Sequence, residues 1–333
     1  MNTLSKLTWL CAILALPFGS VKASHVSGGD IAYECVGPNT FLITLNLYRD
    51  CTGITIGTTQ TLTFNSTCGG SFTQTANQTF MQEVSQLCPT DLPNSECNTP
   101  GSGIPGMEHY QYQTTVTLSP TCNTWTVSWS VCCRNTTTNV SGSPSPYFEA
   151  TLNTVTNPCN NSPVFTAQPI PYVCINQAVT YNYGVVEPDG HTMQFSLIDA
   201  RSAAATPVTY NVPYSGASPI TGITINPATG EISFTPTVLG NFIVVVLCEE
   251  FDASGNLLGT VMRDIQFVVQ NCTNIIPDPP PGGVSGVSGA GVQTGPNQIQ
   301  MCEGDLVCFD VVFTDSDASG TLFASIDSLN AAL

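Results

Sequence analysis

Residues 241–269 read NFIVVVLCEEFDASGNLLGTVMRDIQFVV, and their pattern decides the fold. Phe242 to Leu247 is an apolar run with no polar alternation, the signature of a strand buried on both faces rather than half exposed. Asp252-Ala253-Ser254-Gly255-Asn256 supplies turn residues, and Leu257 to Val269 follows as a second strand. A long antiparallel hairpin with a central strand is therefore expected here. Outward from it, Thr180–Glu187, Met193–Asp199, Gly222–Asn226 and Glu231–Phe234 are also read as strands, with Asn226-Pro227-Ala228-Thr229-Gly230 as another turn.

The same period appears upstream. Phe41, Ile43, Leu45 and Leu47 alternate with polar or outward positions, as do Trp125, Val127, Trp129 and Val131. Strands are expected at 31–36, 40–50, 54–65, 109–119, 124–134 and 147–155, and helical periodicity is nearly absent. The fold class expected is all-β: tandem Ig-like or cadherin-like β-sandwich domains stabilised by disulfides. The expected boundaries are a signal peptide at 1–23, a cysteine-rich sandwich at 24–160, a second sandwich at 161–272, a Pro/Gly-rich linker at 273–298 and an incomplete further repeat at 299–333. The linker reading rests on Pro277-Asp278-Pro279-Pro280-Pro281-Gly282-Gly283 and the VSG repeats that follow.

Compartment and partners follow from composition. Lys6, the apolar run Leu7–Phe18 and the small-residue site ending at Ala23 have the order of a secretory leader, so the chain is expected to be secreted or cell-surface. All 23 acidic residues lie beyond Ala23, against only Arg49, Arg134, Arg201 and Arg263; no lysine follows Lys22. Nucleic acid and anionic membranes are excluded as partners by that balance, because both are bound through a positive surface. Fourteen cysteines remain beyond Cys11, and in an exported chain they are expected to form disulfides. The candidates are Cys35, Cys51, Cys68, Cys88, Cys97, Cys122, Cys132, Cys133, Cys159, Cys174, Cys248 and Cys272, with Cys302 and Cys308 beyond them. Cys88 and Cys97 are expected to staple the loop between them. Cys174 has two rival partners, Cys272 and Cys248. Strand parity sends Cys132 and Cys133 to opposite faces.

One short motif carries possible chemistry. Val186-Glu187-Pro188-Asp189-Gly190-His191 places two carboxylates two residues apart, and an offset of 128 residues superposes Cys174, Val179, Tyr181, Glu187 and Asp189 on Cys302, Val307, Phe309, Asp315 and Asp317. The pair reads either as a turn alone or as a turn stiffened by calcium, with Glu187, Asp189, Asp315 and Asp317 as candidate ligands. A catalytic reading lacks an accompanying nucleophile or histidine relay. His191 reads as exposed and idle, and Ser24-His25 at a free amino terminus as a weak copper candidate. Arg49 and Arg263 share the parity of apolar faces and are expected to pair with carboxylates such as Asp50, Glu249 or Glu250. Sequons occur at Asn65, Asn77, Asn135, Asn139, Asn160 and Asn271.

The start SHVSGGDIAYEC (24–35), FLITLNLYRDC (41–51), NPATGEISFTPTVLGNF (226–242) and MRDIQFVVQNC (262–272) together resemble the large surface proteins of gliding bacteria exported by the type IX secretion system. The PATG turn and the paired carboxylates are also similar to Ig-like and cadherin-like bacterial repeats. The resemblance implies the amino-terminal part of a long, adhesin-like, non-catalytic protein linked to adhesion or gliding motility, attached to the outer membrane through a carboxy-terminal region beyond Leu333. Its partner would be an extracellular protein or glycan surface. The alternative is a set of accessory binding modules of a secreted hydrolase whose catalytic domain lies beyond Leu333.

Overall fold

The computed structural model describes residues 26–87, 90–169, 172–272, 285–295, 298–300 and 307–310. The first region forms β1 (Val26–Gly37), β2 (Thr40–Asp50), β3 (Thr59–Ser66), β4 (Ser71–Glu83), β5 (Met107–Thr117), β6 (Trp125–Ser130) and β7 (Tyr147–Leu152). The second forms β8 (Val164–Phe165), β9 (Tyr172–Cys174), β10 (Val179–Tyr181), β11 (Val185–Val186), β12 (Thr192–Leu197), β13 (Arg201–Ala203), β14 (Thr206–Pro207), β15 (Thr224–Ile225), β16 (Ile232–Phe234), β17 (Gly240–Phe251) and β18 (Leu257–Gln270). The chain is all-β, as its alternation implied, and no described helix is long and apolar enough to cross a membrane.

One sheet runs through both regions, in the order β1-β2-β5-β4-β3-β6-β7-β18-β17-β12, with β9 also on β18. Strand β17 occupies one edge of β18 along its length, from Gly240 opposite Val269 to Phe251 opposite Leu257. The other edge is shared in succession. Gly259–Val261 pair with Leu152–Ala150 of β7, Asp264 pairs with Gly29 of β1, and Val268–Gln270 run parallel to Tyr172–Cys174 of β9. The seven strands of the first region therefore curl until the first and the last lie along the same neighbour. The expected boundary near residue 160 is thus crossed by the sheet: β18, from the second region, joins the two ends of the first.

This junction leaves no room for a side chain at Gly28 or Gly29 of β1. A Cβ at Gly28 would strike the Asp264 carbonyl oxygen, and one at Gly29 would strike the Asn46 carbonyl oxygen and the Phe148 ring.

The core is shared as well. Phe41, Ile43, Leu45 and Leu47 of β2 and Trp125, Val127 and Trp129 of β6 bury one parity, in one cluster with Phe242, Val244, Val246 and Cys248 of β17. Ile243 and Val245 point the other way, into a smaller cluster with Val140, Ala200, Val208 and Met262. A strand packed on both faces has no use for alternation, which is why 242–247 reads as an unbroken apolar run. The short sheet β10-β16-β15 forms a layer over the inner face, where Tyr181 and Phe234 meet Phe267 edge-on at ring separations of 6.2 and 5.1 Å.

Five disulfides are formed among the described residues: Cys35–Cys159, Cys51–Cys97, Cys68–Cys122, Cys132–Cys133 and Cys174–Cys272. Cys272 is the partner of Cys174, and Cys248 is a buried free thiol on the inner face of β17. The expected Cys88–Cys97 staple is corrected, since Cys97 bonds Cys51; Cys88 itself lies outside the described residues. The expected separation of Cys132 from Cys133 is also corrected. β6 ends at Ser130, so the pleat that would send them to opposite faces does not reach them.

Within the stretch expected to be a linker, β19 (Ser285–Gly289) and β20 (Val292–Gly295) are strands; β19 pairs with β22 (Val307–Asp310) and β20 with β21 (Gln298–Gln300). The leader, Ser24-His25, Cys302, Asp315 and Asp317 lie outside the described residues.

Candidate functional site at a carboxylate-histidine cluster

The VEPDGH motif leads out of β11, turns at Pro188-Asp189 and enters β12. Glu187 organises the turn: its carboxylate accepts the backbone N–H of Asp189 at 3.0 Å and that of His191, while Gly190 takes φ +77°. The expected turn is present and is capped by Glu187. Asp189 reaches outward instead, accepting the backbone N–H and the side-chain amide of Asn161, both at 2.7 Å.

A third carboxylate completes the cluster. Glu250 stands opposite Met193 in the β12–β17 pairing, on the same parity as Cys248, Val246 and Val244, so its side chain enters the end of the core with no exposed surface. Its two oxygens meet His191 Nδ1 at 2.6 Å and the Asn160 amide at 2.7 Å. Burial, reinforced by the charge of Glu187, pushes the Glu250 carboxyl up to about 7, against the lowering effect of the bonds from Asn160 and His191. The neighbouring Cys248 thiol is pushed up to about 12, by burial first and then by Glu250.

The asparagines come from the segment after β7, which Cys35–Cys159 fastens to β1. Asn161 Oδ1 accepts the backbone N–H of Cys35 at 2.8 Å, and Asn160 Oδ1 accepts the Asn157 amide at 3.0 Å. The cluster therefore ties the end of the first region to the β11–β12 corner and to β17. One ligand atom from each of Glu187, Asp189, His191 and Glu250 lies within 4.8 Å of all the others.

His191, expected to be exposed and idle, sits at the centre of this group. Glu250 and the two asparagines were not anticipated there. The available signal was Glu250 itself, a carboxylate on the buried parity of an otherwise apolar strand. Asn160 and Asn139, read as sequons, are buried: Asn139 bonds the backbone of Ile243 in both directions and the Pro219 carbonyl oxygen.

The expected arginine pairings also change partners. Arg49 binds Glu108 at 2.6 Å and the Gly53 carbonyl oxygen at 2.7 Å, because β2 and β5 place Arg49 and Glu108 opposite each other. Arg263, fully buried, lies 3.6 Å from Asp30 and donates to the Ala167 carbonyl oxygen at 3.0 Å; its guanidinium sits 5.1 Å from the Phe165 ring and 5.5 Å from that of Tyr48. Glu250 is committed to His191 and Asn160, and Glu249 points to the opposite face. Arg134 forms a two-pronged, fully buried pair with Asp264, and Arg201 pairs with Glu149.

Comparison with protein-family models, with curated proteins and with solved structures returns no match.

Proposed function

We propose that the chain is an exported, non-catalytic, adhesin-like module that serves attachment or surface structure, as its resemblance to surface proteins of gliding bacteria implies. The observation that carries the reading is a polar row across the sheet, on the side away from the main core. The strand registers align Ser71, Asn65, Thr126, Thr151, Thr260, Glu249 and Gln194 in one row across seven strands. Hydroxyl and amide groups predominate, with a single charge, which suits contact with a hydroxyl-rich glycan or a neutral protein surface. Five disulfides among the described residues support service in an oxidising exterior.

The test is made in source cells. Antibody against the chain should label intact cells or the medium, and deleting the gene should reduce attachment or spreading. Confinement to the cytosol, or unchanged attachment and spreading after deletion, contradicts the reading.

A further inference from the structure

Three carboxylates and an imidazole converge where charge is otherwise uncompensated. Glu250 and Glu187 have side chains 0% and 3% exposed, and their like charges share one site with Asp189. Every arginine is committed elsewhere: Arg49 to Glu108, Arg134 to Asp264, Arg201 to Glu149 and Arg263 to Asp30. No lysine follows Lys22. Among the described residues, His191 is thus the one basic side chain facing three acids, two of them buried, and buried carboxylates crowded together call for a cation.

The donor set selects the kind of cation. Calcium takes six to eight oxygens, usually with no nitrogen. Here His191 brings a nitrogen 2.6 Å from Glu250 and 3.7 Å from Glu187, and imidazole with carboxylates suits first-row transition metals. We infer that Glu187, Asp189, His191 and Glu250 form a binding site for a divalent transition metal such as zinc. The metal locks the β11–β12 corner to β17. Asn160 and Asn161, which already hold Glu250 and Asp189, position the ligands from outside.

The test uses the oxidised full chain without its leader, carrying His25→Ala so that the terminal amine and imidazole do not compete. Zinc is titrated against a chromophoric chelator after metal is stripped, and calcium is run in parallel. One equivalent of zinc should bind and raise the melting temperature, and His191→Gln and Glu187→Gln should each weaken binding roughly tenfold or more. Asp91→Asn, an exposed acid in the loop between β4 and β5, should leave it unchanged. Circular dichroism of the metal-free variants establishes that they fold, and cobalt in place of zinc should give visible absorption bands that His191→Gln shifts. Zinc binding equal in the chain and in folded His191→Gln overturns the inference. So does stabilisation by calcium alone.

Discussion

At the level of single residues, stability rests on buried polar groups whose hydrogen-bonding atoms have few partners. Asn160 donates to a fully buried Glu250, so Asn160→Ala strands a carboxylate oxygen. Loss of about 1–3 kcal/mol in urea unfolding is expected, the cost of an unsatisfied buried group. Arg134 and Asp264 are a sharper case: Arg134→Met alone should cost roughly 3–5 kcal/mol, and adding Asp264→Leu should recover most of it. If the double variant is as unstable as the single one, the pair is not what holds that contact. His109 carries a pH dependence. Its ring stacks on Tyr48, Nε2 lies 3.0 Å from Asn46 Oδ1, and burial, with the charge of Arg263 second, holds its pKa down at about 4. The unfolded chain takes up that proton near pH 6.5, so the stability it contributes is present above about pH 6.5 and is lost as pH falls towards 4. His109→Gln should flatten that part of the profile, measured as the urea midpoint between pH 7 and 4.5. Little of this was legible in the sequence. Parity places Arg263 and Glu250 on inner faces, but which acid meets which base depends on strand register, which parity leaves open.

At the scale of elements, the sequence was informative wherever one face is buried. β2, β17 and β18 are legible because the core marks alternate residues, or all of them where both faces pack; β6 is legible too, but it stops at Ser130, short of the expected end at 134. β4 was missed. Of its thirteen residues only Ala76 is buried, so Thr, Gln and Asn occupy positions that an inward face would fill with apolar side chains. The short strands β8 and β9 carry too few residues for any period. β1 was read too short at its start, since Ser27, Gly28, Gly29 and Asp30 resemble a loop. Those glycines are instead the condition for the β1–β18 crossing. Gly29→Ala should therefore destabilise by about 1–3 kcal/mol through overpacking against Phe148 and the β2 backbone, whereas Gly101→Ser, in open space on a loop, tests backbone strain alone. Equal effects of the two would count against a packing origin.

At the scale of the whole molecule, the sequence suggested two sandwiches in tandem, and the reason it did so is physical. Hairpins are local, and β17–β18 announces itself through its turn at Asp252–Asn256, where Asp252 accepts the backbone N–H groups of Ser254 and Asn256. The pairing of β18 with β7 and β1 is long-range: residues more than a hundred positions apart meet, and no local pattern records it. The polar row across seven strands is invisible for the same reason, although each of its hydroxyls is plain in its own strand. The second region completes the sheet of the first. The most direct test is thermal unfolding of residues 24–160 alone, oxidised, beside the chain from residue 24 to 333. Without β18, the ends of β1 and β7 lose their shared neighbour, so the isolated segment should lack the cooperative transition of the longer chain or melt well below it. A segment that unfolds cooperatively at the temperature of its counterpart in the longer chain would contradict the claim.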